Sequence, residues 1–147
     1  MKQFVFKLDS VLQLRNQEER KVVDAHAQAL RKVHELNEAM SHLNAGLQSE
    51  HQRYQASLAK PHSVSQMKTL RAGCDYYEQR LYETKKQLEL AEVKLAEQQD
   101  ALTAARRERE VMERYRDRLA GVHAQSIAKA DQIFLDELSL RGAGQPS

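Results

Sequence analysis

Tryptophan is absent from the chain, only 5% of its residues are aromatic, and there are two prolines and five glycines among 147 residues. A globular domain of this length normally gathers bulky rings into a core and punctuates its strands with turn residues, and neither resource is present here. One cysteine, Cys74, excludes an internal disulfide and fits a reducing compartment. No apolar run approaches the roughly 20 residues of a membrane span. The opening, MKQFVFKLDSVLQL, lacks the uninterrupted apolar centre and small-residue cleavage site of a signal peptide. Charge of one sign is also missing: 23 basic and 21 acidic residues leave a net +2. That balance implies neither nucleic acid nor insertion into, or binding to, an anionic membrane. The chain is therefore expected to be soluble and cytoplasmic.

What is present is Ala, Glu, Gln, Lys, Leu and Arg in long periodic stretches, the mixture of coiled coils. From Ser63 to about Arg141, with no interior proline, alternating steps of three and four pick out one row. It reads Met67, Leu70, Cys74, Tyr77, Leu81, Thr84, Leu88, Ala91, Leu95, Gln98, Leu102, Ala105, Arg109, Met112, Arg116 and Leu119. A heptad row keeps a narrow apolar stripe on one side of a helix. At about 1.5 Å per residue such a helix would be roughly 115 Å long, too long for a compact core. It must lie against another helix. Each side chain of the row is then buried from one side only and contributes less than the roughly 1.5–3 kcal/mol of full burial.

The partner precedes it. Residues 1–8 form a short arm holding Phe4, Val5, Phe6 and Leu8, two of the three phenylalanines in the chain. Ser10 and Gln13 have capping-box spacing, so the first helix is expected to start at Asp9 or Ser10. It runs over 9–59 with a row at Leu8, Leu12, Arg15, Glu19, Val22, His26, Ala29, Val33, Leu36, Met40, Leu43, Leu47, Glu50 and Tyr54. The row is weak from Arg15 to His26 and strong from Val33 to Leu47. Gly46 lowers helix propensity by about 1 kcal/mol relative to alanine without ending so long a pattern. Pro61 breaks the helix and pushes Lys60 towards extended geometry, giving a turn at 60–63. Ser63 with Gln66 offers a second capping box at the start of a helix over 64–141, followed by a flexible tail at 142–147.

A short connection between long amphipathic helices gives an all-α fold, an antiparallel two-helix coiled-coil hairpin whose second helix overhangs the first. Residue i then lies opposite roughly 123 minus i, so the first helix runs out near Met112. Beyond about Tyr115 the second helix has no partner except the arm. Its row turns polar at Arg109, Arg116, His123 and Ser126, yet Leu119, Val122, Ile127, Ala130, Ile133, Phe134, Leu135 and Leu138 remain apolar. Large apolar residues on an unpaired helix mark a contact site.

Catalytic chemistry has no foothold. There is no glycine-rich loop, no nucleophile elbow and no histidine pair at i, i+4. His26, His34 and His42 recur every eight residues and precess by about 80° per step, so they cannot converge on a metal. No cofactor is implied, and a two-helix structure offers no concave pocket for a substrate. Cys74 falls on the row beside Leu70 and Tyr77 and reads as a small buried apolar residue rather than a reactive thiol. The run from Arg106 to Arg118 reads either as a docking surface or as a solvated face with pairs such as Glu110 and Arg114. Its arginines alternate with carboxylates without aromatic interleaving, which argues against nucleic acid.

Three stretches resemble the FliJ-type proteins of the flagellar type III export apparatus, to which the YscO-type injectisome proteins are related. The opening Phe4-Val-Phe-Lys-Leu8, with Val11-Leu-Gln-Leu-Arg15 and Glu18-Glu19, is similar to that family's N-terminal signature. Ala105 to Glu113 with Tyr115 resembles its late second helix, and Leu135-Asp136-Glu137-Leu138 its C-terminal Leu-Asp-Glu element. The resemblance implies a non-enzymatic cytoplasmic component, peripherally associated with the export apparatus at the inner membrane and similar to the central stalk of rotary ATPases. Its implied partners are the hexameric export ATPase (FliI-type), the export gate protein (FlhA-type) and substrate chaperones. Candidate ATPase contacts are Phe4, Phe6, Arg109, Arg116, Leu119, Val122, Ile127, Ile133, Phe134, Leu135, Asp136 and Leu138. Candidate gate contacts are Leu43, Leu47, Tyr54, Leu70, Tyr77 and Leu81, which are equally explained as hairpin packing. The alternatives are a YscO-like injectisome stalk and a structural homodimeric coiled coil with no export role.

Overall fold

The computed structural model describes residues 2–59 and 63–144. It contains two helices, α1 (Asp9–Leu58) and α2 (Val64–Ala143), packed against each other as a hairpin, with no strand among the described residues. Lys60, Pro61 and His62 of the expected turn, and residues 145–147 of the expected tail, lie outside the described residues.

The helix starts follow from local chemistry. The Leu8 carbonyl accepts from the Leu12 amide at 3.0 Å, so the first helical hydrogen bond precedes Ser10. Gln13 Nε2 accordingly donates to the Asp9 carboxylate at 3.1 Å, and not to Ser10, which lies inside the first turn. Ser63 does cap α2: the Gln66 amide donates to its Oγ at 3.3 Å, relieving one of the unpaired donors of the first turn. At the other end the Gly144 amide donates to the Leu140 carbonyl, and α2 includes Gly142 and Ala143.

The chain forms two compact units, Val22–Leu102 and Met1–Lys21 with Thr103–Ser147. In the first, the α2 row at Met67, Leu70, Cys74, Tyr77, Leu81, Thr84, Leu88, Ala91, Leu95, Gln98 and Leu102 is buried or half-buried at every position. The α1 row from Val22 to Tyr54 is likewise buried or half-buried throughout. Helix register is visible in named contacts. Tyr77 lies over Gly46, Glu50 lies over Gly73, and His51 lies 3.9 Å from Glu78. In the second unit Leu12 is 3% exposed, Ala105, Arg109, Met112, Arg116 and Leu119 are half-buried, and Arg15 meets Glu108 at 3.0 Å. No large side chain among the described residues is less than 2% exposed. The inward row is one side chain thick.

Gly46 has a use that periodicity alone does not reveal. A Cβ there would come within 2.5 Å of Tyr77 Cε1 and 2.7 Å of Cζ, so the missing side chain makes room for the ring. A Cβ at Gly121 would meet nothing within 4 Å. Gly121→Ala should therefore raise stability by about 0.5–1 kcal/mol, the helix-propensity gain. Gly46→Ala should be neutral or destabilising, because that gain is opposed by displacement of Tyr77. Thermal unfolding followed by circular dichroism checks both; an equal gain from the two would refute the packing role of Gly46.

Candidate partner-binding surfaces

In the unit formed by Met1–Lys21 and Thr103–Ser147, charged side chains take over the inward row from leucine. Glu19 accepts from Arg109 Nε and lies 3.7 Å from Arg106, while Arg109 also donates to Glu113 at 2.9 Å. Arg15 bridges Glu18 at 3.1 Å and Glu108 at 3.0 Å. The Arg109 and Glu19 side chains are 24% and 16% exposed, so this pair is shielded in a way that surface ion pairs are not. The hydrogen bonds to Glu19 and then to Glu113 hold the Arg109 guanidinium above its ordinary pKa, against the opposing effect of burial. Arg109, expected at a partner, is thus occupied within the hairpin. Arg116 is half-buried and pairs with its neighbour Asp117 at 3.3 Å. Glu110 and Arg114 stand 3.9 Å apart, on the exposed side.

The arm lies along α2. Phe6 is 8% exposed and packs edge-on against Tyr115 with ring centroids 6.0 Å apart. Phe4 is half-buried beside His123 at 5.7 Å. His123 Nε2 donates to the Lys2 carbonyl at 3.0 Å, which places the ring proton on that nitrogen. Arm and helix together line an open cleft of about 810 Å³ that includes Leu119, Val122 and Ser126. Seating two rings contributes less than about 1.5–3 kcal/mol each, because neither is fully enclosed. Ordering the arm's backbone opposes this gain.

Past the arm the helix is bare. Ile127 is half-buried, and every described residue from Ala128 to Gly144 is exposed. Ile133, Phe134, Leu135, Leu138 and Leu140 all stand in solvent, Phe134 at 61% and Leu140 at 74%. Asp136 is exposed and accepts from Gln132 Nε2 at 3.1 Å. Phe4, Phe6, Leu119 and Val122 thus share the cleft, whereas Ile133, Phe134, Leu135, Asp136 and Leu138 form a separate open stretch.

The family scan matches this chain to the flagellar FliJ proteins over residues 3–146. The chain belongs to the FliJ family. No curated protein and no solved structure matches it. The family gives this FliJ-type chain a non-enzymatic role associated with flagellar export. Among the described residues no helix is long and apolar enough to cross a membrane, and no three His, Cys, Asp or Glu side chains are grouped to hold a metal ion.

In the unit Val22–Leu102 of this FliJ-family chain, Leu43, Leu47, Tyr54, Leu70, Tyr77 and Leu81 are all half-buried in the inward row. They pack the hairpin and offer a partner only their edges. The exposed tyrosines of this unit are Tyr76, in edge contact with Tyr77 at 5.5 Å, and Tyr82, with the Lys86 ammonium 4.5 Å from its ring centre. A reading built on the inward row passes over both; their signal is an aromatic residue directly beside that row.

Cys74 is buried, with Sγ 3.9 Å from His51 Nδ1. Burial first, then the charges of Glu50, Glu78 and Asp75, push its thiol above the ordinary value. It stays a neutral thiol near pH 7 and is no nucleophile. Keeping it protonated contributes stability that is complete below the ordinary thiol pKa and is lost as pH rises through the raised one.

The shielded ion pair yields a test. Glu19→Arg should lower the melting temperature by placing like charges together, and adding Arg109→Glu should recover much of the loss. Circular dichroism melts measure both. If the double variant melts no higher than Glu19→Arg, the pairing does not hold this unit together.

Proposed function

We propose that this FliJ-family protein binds the flagellar export ATPase ring in the manner of a central stalk, promotes assembly or activity of the ring, and links it to the export gate and to substrate chaperones. In this reading it acts in the cytoplasm, peripheral to the inner membrane. The observation that carries it is the stretch from Ala128 to Gly144, where five large apolar side chains stand in solvent on a helix with no covering element among the described residues. An amphipathic helix of this kind lays its apolar side into a groove on a partner. Ile133, Phe134, Leu135 and Leu138 supply the apolar contact, and Asp136 supplies a carboxylate beside it. Ile127, Val122, Leu119 and Arg116 continue the docking surface as far as the arm, whose Phe4 and Phe6 lie against α2 and are not counted among its contacts. Arg109 supports this surface through its pairing with Glu19 and Glu113.

The gate contact falls to the other unit, around Leu43, Leu47 and Tyr54 on α1 and Leu70, Tyr77 and Leu81 on α2. The exposed rings of Tyr76 and Tyr82 provide the accessible area there. A second reading, a homodimer formed through the same bare stretch, is favoured by the same exposed side chains. Light scattering separates the two, since a concentration-independent dimer supports the homodimer and a monomer supports docking on a different protein.

Ending the chain after Ala128 removes the bare stretch and keeps the contacts of Phe4 and Phe6. The truncated protein should retain its helicity and melting temperature and lose stimulation of the export ATPase. Unchanged stimulation would contradict the assignment.

A further inference from the structure

The arm presents a conflict between chemistry and position. Its aromatic residues alternate, and the alternation is resolved inward: Phe6 is 8% exposed and Phe4 half-buried, while Val5 between them is 77% exposed. This is the period-two pattern of an extended segment laid along a surface. The two rings that would grip a partner are instead used against Tyr115 and His123 of the same chain. Beside them, Leu119, Val122 and Ser126 border an open cleft of about 810 Å³ of which the arm forms one wall.

The hold is slight. Among the described residues, the arm's one hydrogen bond to α2 joins the Lys2 carbonyl to His123, and the apolar hold rests on Phe6, edge-on to Tyr115, and half-buried Phe4, tilted on His123. Segments with few buried apolar contacts and few hydrogen bonds open locally at low free energy. The same helix carries on into the bare apolar stretch from Ala128, so an open arm would join the cleft surface to it as one apolar strip.

We propose that residues 2–8 are a displaceable strap. In the free chain they occupy part of the surface on which the export ATPase docks, and docking releases them. This rests on the reading of the bare stretch as the ATPase contact. The occupant seen in place also defines the chemistry of the covered site: an extended segment with aromatic side chains at i and i+2. Its release extends the open surface over Leu119 and His123, beside Tyr115 and Val122, which are exposed already. A ligand that needs the strap open binds more weakly by the inverse of the fraction of time the strap is open.

The test uses the full chain. It has three phenylalanines, so incorporation of fluorophenylalanine gives three fluorine NMR resonances, assigned by Phe4→Leu, Phe6→Leu and Phe134→Leu. In the free protein the Phe4 and Phe6 signals should be displaced from their positions in a synthetic Lys2–Leu8 peptide. Adding the ATPase should bring them to the peptide positions. ATPase affinity is measured alongside for the full chain, for Phe6→Ser and for a chain lacking residues 2–7, with helicity checked by circular dichroism. A strap predicts that both variants bind several-fold more tightly. Weaker or unchanged binding by both, or Phe4 and Phe6 signals that stay displaced in the complex, would overturn the strap while leaving the ATPase contact standing. No binding by any of the three chains would overturn the ATPase contact and the strap with it.

Discussion

A helix in a two-helix hairpin has one neighbour, so its inward side chains form a single row, and each is covered from one direction. Most features of this protein answer to that constraint. It explains why the buried residues are spread thinly along the chain rather than gathered, and why alanine, threonine and serine hold buried or half-buried places beside leucine. Small residues let the helices approach where a ring must be fitted, as Gly46 does for Tyr77. Stability under this constraint is a sum of many small terms, and a segment with slightly fewer of them opens or stays bare.

The same constraint separates the two units chemically. In Val22–Leu102 the row is mostly apolar and closes upon itself. In the unit that carries the arm, the row passes to Arg15, Glu19 and Arg109, which are satisfied by each other and by Glu108 and Glu113. Partly shielded ion pairs of this kind are a modest source of stability. Beyond them the arm's rings take the place of a partner helix over Tyr115 to His123, and beyond the arm nothing described covers the apolar residues. The proposed docking on a partner of the export apparatus uses that surface.

Helical periodicity made much of this readable from the residues. Each α2 row position from Met67 to Leu119 is buried or half-buried, since steps of three and four are a direct consequence of helix geometry. The bare stretch was equally legible: hairpin arithmetic exhausts the first helix before the second ends. What periodicity does not carry is the identity of long-range partners. Arg109 shows its i, i+4 neighbour Glu113 in the sequence, but its other partner, Glu19, is ninety residues away and emerges only once the helices are placed. The arm has no helical period; its alternation puts Phe4 and Phe6 on one side, but only the placed helices show that they meet His123 and Tyr115. Tyr76 and Tyr82 lie one residue outside the row, so the periodicity does not mark them.

The central claim is that the exposed apolar stretch after Ala128, and not the inward row near the turn, is the ATPase-docking surface. Amide hydrogen exchange of the full chain, with and without the export ATPase, addresses it most directly. The account predicts new protection confined to residues 128–143 and the adjoining helix from Tyr115, with the segments around Leu43–Tyr54 and Leu70–Leu81 unchanged. Protection appearing at those two segments, with 128–143 still exchanging freely, would contradict it.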